Sequence, residues 1–261
     1  MKTVILAGGY GTRISEESRL RPKPMVEIGG KPVLWHIMKQ YSHYGFNDFI
    51  ICCGYMQHVI KEYFANYFLY NSDVTFDFTG GRNEMIVHRE HTEMWKVSLI
   101  DTGLDTMTGG RIRRIARYLD DGEPFFLTYG DGVSDVNIPE LYEYHRKSGG
   151  ILTMSCVHPS SRFGNLDMED SGHVKSFREK RVEDSGWINA GFMVAEPEVL
   201  KYIERDDQPF EREPIERIAA DGGLNAFRHE GFWQCMDTLR EKELLERLWK
   251  HGEAPWKVWS D

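Results

Sequence analysis

The stretch DFIICCGYMQHVIKEYFANYF, residues 48–68, passes from a run of β-branched and aromatic residues into a segment with apolar residues at helical spacing. Phe49 to Cys53 reads as a buried strand, Gly54 breaks it, and Val59, Ile60, Tyr63, Phe64, Tyr67 and Phe68 share one face of a helix. Upstream, TVILA (3–7) reads as a first buried strand. PVLWHIMKQYSHYG (32–45) reads as a helix with Pro32 at its first position, an apolar stripe from Val33 to Tyr44, and Gly45 as its stop. Strand, helix, strand, helix before residue 70 predicts an α/β fold with a mostly parallel, doubly wound sheet. Ligands of such sheets gather beyond the carboxyl ends of the strands, so the loop at 8–31 is suspect by position alone.

Further strand-like runs fall at 74–78, 96–101, 124–129, 151–157, 173–178, 188–195 and 224–229. The segment 70–110 breaks the alternation: VTFDF and WKVSLIDTG flank the polar stretch RNEMIVHREHTEM, which predicts a β-rich excursion, either a decorative hairpin or a subunit contact. DTLREKELLERLWKHGEAPW opens on an Asp/Thr cap and stops at Gly252 and Pro255, predicting a C-terminal helical segment over about 238–261. We expect residues 1–261 to form one domain.

The chain carries 32 Lys and Arg against 41 Asp and Glu, a net charge of −9, which argues against a nucleic-acid or anionic-membrane surface. Any anionic ligand must then be met by local charge. Cys52, Cys53, Cys156 and Cys235 show no metal or redox spacing, and the adjacent pair points to opposite faces of its strand, so reduced structural thiols are expected. The N-terminal apolar run is too short for a signal peptide or a membrane span, and cytoplasm is the expected location.

Behind the first strand, LAGGYGTR (6–13) is neither a P-loop nor a dinucleotide fingerprint, because no Gly-Lys-Ser/Thr follows and Ile14 takes the third glycine position. Gly8, Gly9 and Gly11 nevertheless let successive backbone N–H groups converge on a phosphate, and Arg13 adds a planar fork. A plain turn is the competing reading. Lys23, between Pro22 and Pro24, is expected on stiff, extended backbone, suited to neutralising a transferring phosphoryl group. In TYGDGVSD (128–135), Asp131 ends a hydrophobic strand between two glycines, either as a Mg²⁺ ligand or as part of a turn. Asp237 is its candidate partner, or a helix cap. Glu179, Lys180 and Asn189, near Gly191, offer acceptors and a cation for a sugar phosphate; solvated strand ends would look the same.

These features resemble, in order and over nearly the whole chain, the sugar-1-phosphate nucleotidylyltransferases: LAGGYGTR, RPKPM, YGDG, FREK and the terminal MDT. PKPMVEIGGKPVLWHIMK, FIICCGY, VIKEYFANYF, MTGGR, RFGNLD and APWK are similar to the branch that uses CTP and glucose 1-phosphate. The resemblance implies a Rossmann-like mixed sheet of the nucleotidyltransferase type and a Mg²⁺-dependent reaction yielding CDP-glucose and pyrophosphate. It implies that Leu6, Ala7, Gly8, Gly9, Tyr10, Gly11, Thr12 and Arg13 hold the nucleotide, with Thr106, Thr108, Arg111 and Gly130, and that Lys23 bridges the reacting phosphates. It further implies Asp131 and Asp237 as Mg²⁺ ligands, Glu179, Lys180, Asn189 and Gly191 on the sugar-phosphate side, and a homo-oligomer using the 70–110 excursion. Where the family's stretch reads Phe-Gln-Glu-Lys-Pro, this chain has Phe177, Arg178, Glu179, Lys180 and Arg181, keeping the acidic-basic pair.

Three rivals stay open at this level: use of dTTP or UTP in place of CTP, a metal-dependent glycosyltransferase of similar architecture, and a non-catalytic sugar-nucleotide sensor. The second wants a D-x-D motif, whereas Asp131 is followed by Gly132, Val133 and Ser134. A sensor should have lost the lysine or a metal aspartate. Between the two halves of the first loop, ISEESRL (14–20) carries Glu16 and Glu17, awkward beside phosphates and expected to turn outward.

Overall fold

The computed structural model describes residues 1–11, 21–81, 83–90, 92–119, 122–158, 165–168, 174–178 and 186–260. The first half contains β1 (Thr3–Leu6), β2 (Glu27–Ile28), β3 (Lys31–Pro32), α1 (Val33–His43), β4 (Asp48–Cys53), α2 (Gln57–Ala65), α3 (Tyr67–Tyr70), β5 (Ser72–Asp77), β6 (Glu84–Glu90), β7 (Lys96–Asp101) and α4 (Thr108–Arg114). The second half contains β8 (Phe125–Tyr129), β9 (Gly132–Ser134), α5 (Ile138–Ser148), β10 (Leu152–Val157), β11 (Asn165–Met168), β12 (Val174–Arg178), β13 (Ile188–Ala195), α6 (Glu213–Ala220), β14 (Leu224–Arg228), β15 (Trp233–Cys235) and α7 (Leu239–Lys250).

The central sheet has the order β14-β10-β13-β8-β1-β4-β7. β1 pairs in parallel with β4 and β8, β4 with β7, and β10 with β14, while β13 runs antiparallel to both β8 and β10. The chain moves outward from β1 through β4 to β7, then returns to the other side of β1 at β8. That reversal opens a crevice beyond the carboxyl ends of β1 and β8, the place where open α/β sheets bind ligands.

Alternating side chains of the central strands feed two cores, one on each face. Ile5, Phe49, Ile51, Cys53 and Phe126 pack with α1 and the C-terminal tryptophans. Val4, Leu6, Ile50, Cys52, Phe125 and Leu127 pack on the opposite side with Ile112 of α4 and Ile218 of α6. Cys52 and Cys53 thus lie in different cores, and all four cysteines are free thiols.

Three local expectations are corrected. First, the excursion is shorter than 70–110: only the β5–β6 hairpin leaves the body, whereas β7 is an edge strand of the central sheet, with Val97 and Leu99 against the first core. The polar stretch after residue 82 contains β6 itself, whose exposure on both faces erases the alternation that marks a half-buried strand. Second, Pro32 caps α1 rather than beginning it. Third, Lys23 begins a single 3₁₀ turn, Lys23–Met25, rather than continuing the extended backbone of Pro22. Pro24 lacks an N–H, so the turn is closed instead by Met25 N–H on Pro22 O and Val26 N–H on Lys23 O.

The C-terminal segment seals this turn from behind. Trp256 is fully buried, and its Nε1–H donates to His36 Nδ1 at 3.3 Å, while His36 Nε2–H donates to Ile28 O of β2 at 2.8 Å. Glu246 of α7 accepts from Gly29 N at 2.6 Å. The hairpin following Lys23 is therefore bolted to both α1 and α7.

Candidate active site

Two carboxylates 106 positions apart in sequence meet because β9 and β15 form a short antiparallel ladder, with Gly132 opposite Cys235 and Met236 N–H donating to Asp131 O at 2.8 Å. Asp131 and Asp237 therefore flank the same end of that ladder. α7 is capped by the next residue: Thr238 accepts from Glu241 N, and Glu241 returns bonds to the N–H groups of Asp237 and Thr238. The capping box relieves the Asp237 carboxylate of the capping duty that the sequence left open. It accepts instead from Lys23 Nζ, which also donates to Asp131 Oδ2 at 2.6 Å. Burial alone would lower the Lys23 pKa, but the two carboxylates outweigh it and hold the ammonium above the ordinary lysine value.

The glycine loop leaves β1 directly in front of this cluster. Leu6 to Gly11, Lys23, Thr106, Thr108, Arg111, Gly130, Asp131 and Asp237 all line one cleft of about 670 Å³. Arg111 is 4% exposed and donates to five neutral oxygens: Cys53 O, Thr102 Oγ1, Gly103 O, Gly8 O and Leu104 O. A Cβ on Gly8 would collide with that guanidinium, so this glycine is required by close approach rather than by a ligand. Burial holds the Arg111 pKa below the ordinary arginine value. With neutral oxygens as its hydrogen-bond partners among the described residues, its charge projects positive potential through the Gly8 backbone into the cleft.

The glycines of MTGGR have a similar explanation. Met107 N–H donates to Asp206 O at 2.9 Å and Gly109 N–H to Gln208 O at 3.0 Å, and side chains at 109 or 110 would strike the backbone of 206–208. Close docking of that loop, reinforced by the Arg114–Asp206 ion pair at 2.7 Å, delivers Glu211 to the cleft rim. Glu211 was not apparent from the sequence. Its Oε2 accepts from Thr108 Oγ1 at 2.6 Å and its Oε1 from Tyr129 OH at 2.7 Å. The Thr108 hydroxyl also accepts Phe210 N–H at 2.8 Å, which makes Thr108 an organiser of the rim. Tyr129, at the end of β8, was also missed; burial and the neighbouring Glu211 push its phenol far above the ordinary range. Its ring packs beside Gly191, whose N–H donates to Asn189 Oδ1 at 2.8 Å. Asn189 and Gly191 thus adjoin Tyr129, a lining residue of the cleft, and are not themselves among its described lining residues.

Tyr10 closes the other rim by donating to Asp105 Oδ1 at 2.6 Å. Thr12, Arg13, Glu179 and Lys180 lie outside the described residues, as do Glu16, Glu17 and Arg181. Among the described residues no three His, Cys, Asp or Glu side chains cluster as a metal site, and no helix is long and apolar enough to cross a membrane.

A family model described as nucleotidyl transferase matches residues 2–238. The chain belongs to the nucleotidyl transferase family. It is 55% identical over 260 residues, covering 100% of both chains, to a glucose-1-phosphate cytidylyltransferase of Salmonella typhi. It is 44% identical to a probable glucose-1-phosphate cytidylyltransferase of Bacillus subtilis, covering 99% of this chain and 100% of that one. Its fold is shared by HddC from Yersinia pseudotuberculosis, with a TM-score of 0.68 at 23% identity over 95% of this chain and 99% of that one.

The thiols of this nucleotidyl transferase are poor nucleophiles. Burial pushes Cys53 and Cys235 up to about 12, so neither supplies a thiolate near neutral pH.

Proposed function

We propose that this chain transfers a cytidylyl group from CTP to α-D-glucose 1-phosphate, giving CDP-glucose and pyrophosphate with Mg²⁺ as cofactor, residues 1–261 acting as one domain. The observation that carries this reading is the meeting of Lys23, Asp131 and Asp237 at the switch point of the sheet, facing the glycine loop. Full-length identity to the Salmonella typhi relative supports the choice of base and sugar.

In this reading a phosphate oxygen of the sugar phosphate attacks the α-phosphorus of CTP in line. The new P–O bond forms as the bond to the bridging β-phosphate oxygen breaks, and pyrophosphate leaves with the charge. Two anions must be brought together, so positive charge and alignment matter more than a base. The attacking phosphate oxygen is already deprotonated near neutral pH, and no activating histidine is needed. Lys23 offsets charge on the reacting phosphates, the N–H groups of Leu6 to Gly11 cradle the triphosphate with Thr12 and Arg13, and Arg111 adds fixed potential beneath Gly8. Glu179, Lys180, Asn189 and Gly191 form the sugar-phosphate side.

Asp131 and Asp237 would hold Mg²⁺ by donor chemistry: two hard carboxylates, one before β9 and one after β15, partly open to the cleft, suit a cation that prefers oxygen ligands. When bound, Mg²⁺ supplies Lewis-acid charge to those phosphates. We also propose that two copies of this chain associate through the β5–β6 hairpin. Phe76 and Phe78 stack with ring centroids 6.1 Å apart on its exposed surface, across the ladder from exposed Met85, more apolar area than a solvated hairpin needs.

The deciding experiment measures pyrophosphate release with Mg²⁺, glucose 1-phosphate and each of CTP, UTP, dTTP and ATP. CTP should be the best substrate. A better rate with dTTP or UTP moves the base assignment, and no pyrophosphate with any pairing of nucleotide and sugar phosphate ends the reading.

A further inference from the structure

The two ends of the cleft differ in character. Asp131 follows β8 and Lys23 meets it there, the glycine loop follows β1, and residues 104–107 follow β7. In the order β8-β1-β4-β7, three strand spacings, roughly 14 Å, separate the two ends. A nucleotide spans such a distance from its phosphates to its base. With the phosphates at the Lys23 end, the base falls among Tyr10, Leu104 and Met107, which line the cleft and are 44%, 50% and 48% exposed. Half-exposed apolar side chains inside a cleft suit a flat ring better than water.

Asp105 lies within this apolar end and lines the same cleft. Its loop is pinned on both sides: Arg111 donates to Gly103 O at 2.8 Å and to Leu104 O at 3.2 Å, and Met107 N–H donates to Asp206 O at 2.9 Å. Tyr10 OH, from the glycine loop, donates to Asp105 Oδ1 at 2.6 Å. That bond holds the phenol above the ordinary tyrosine value, so Tyr10 stays a donor. One such bond does not exhaust a carboxylate, which offers about four acceptor sites and no donor. Cytosine presents an exocyclic amine at an open edge of its ring, beside a C–H. Uracil and thymine present a carbonyl in the same place, and their one ring N–H on that edge lies between two carbonyl oxygens that repel a carboxylate. We infer that Asp105, held by Tyr10, reads the base: its carboxylate takes the cytosine amine and turns away the uracil or thymine carbonyl. This rests on the nucleotidyl-transfer reading of the cleft and decides among the pyrimidine triphosphates.

Titration calorimetry with CTP and with UTP tests this on the intact protein, and kcat/KM for pyrophosphate release with each nucleotide is scored separately. The unaltered chain should favour CTP over UTP by at least about tenfold in both measurements. D105N, whose amide can turn an N–H toward a carbonyl, should cut that preference at least about fivefold, mainly by improving UTP. D105A should cut it mainly by weakening CTP. Y10F, which leaves the carboxylate free to turn, should lose part of it, and full retention removes Tyr10 from the reading. An unaltered chain that binds UTP as tightly as CTP overturns the proposal. A CTP preference kept within about twofold in both folded Asp105 variants also overturns it. If the calorimetric preference shifts as stated while no pyrophosphate appears with any nucleotide, base reading by Asp105 stands and the transfer reading fails; no binding of either nucleotide overturns both.

Discussion

The cleft has two buried cations held in opposite ways. Lys23 sits between two carboxylates with their own access to solvent, whereas Arg111 spends its hydrogen bonds on five neutral oxygens of the surrounding backbone and Thr102. The difference teaches that positive charge reaches this cleft in two separable ways, one held on carboxylates that themselves line the cleft and one fixed on neutral oxygens of the scaffold.

Breaking the fixed cation should cost most. Arg111→Met leaves a set of buried carbonyl acceptors unmet, and we expect a loss of about 3 kcal/mol of stability in urea unfolding. A loss below about 1 kcal/mol would show that those carbonyls find water readily, and that Arg111 belongs with Lys23. Breaking the carboxylate-held cation should spare the fold and remove the chemistry. Lys23→Ala should lower kcat for pyrophosphate release by at least about 10²-fold while cooperative unfolding persists. A rate within threefold of the unaltered enzyme, measured with ~3 as the margin of assay error, would place the transferring charge elsewhere.

His36 belongs with the scaffold. Burial pushes its pKa down to about 4, and the neutral ring is held as a donor to Ile28 O and an acceptor from Trp256. Because the folded pKa is depressed below the unfolded value, the contribution is intact above about pH 6.5 and shrinks as the unfolded chain takes up the proton below it. Its loss should reach ~2 kcal/mol by pH 5, continuing toward the folded pKa. In H36Q, whose amide can mimic the donor and acceptor, stability should fall less steeply between pH 7 and 5. An identical slope would assign the acid sensitivity to other groups.

Much of this was legible in the sequence for physical reasons. The strands of the central sheet declare themselves because burial on both faces demands continuous apolar runs, as in DFIICC, and the Lys23 mount declares itself because two prolines bracket a lysine. Residues 84–88 were hidden because that part of β6 is exposed on both faces and so has no burial pattern. The reason for the glycines of MTGGR was hidden too: their constraint is the backbone of 206–208, nearly a hundred positions away, which no local spacing encodes. Asp237 was ambiguous until the Thr238–Glu241 box showed which residue caps α7. Glu211 gave no signal at all, since a glutamate just before a helix is ordinary.

Glu211 also sharpens the comparison, because it is a carboxylate that holds hydroxyls rather than a cation. It joins Thr108 of α4 to Tyr129 of β8, and Tyr129 in turn packs against Gly191, which we propose lies on the sugar-phosphate side. Glu211 itself is exposed, so the stabilising contribution of the two hydroxyl bonds is small. Their effect should be to keep the Tyr129 ring from swinging between the nucleotide and sugar sides of the cleft. Glu211→Ala should therefore cost only about 1 kcal/mol of stability, yet raise KM for the sugar phosphate about fivefold with kcat changed much less. Glu211→Gln, which keeps one carbonyl acceptor and offers its amide to a rotated hydroxyl, should recover part of that KM. If KM stays fixed in both variants while stability alone drops, Glu211 is a brace for the 204–212 loop and has no part in positioning the sugar side.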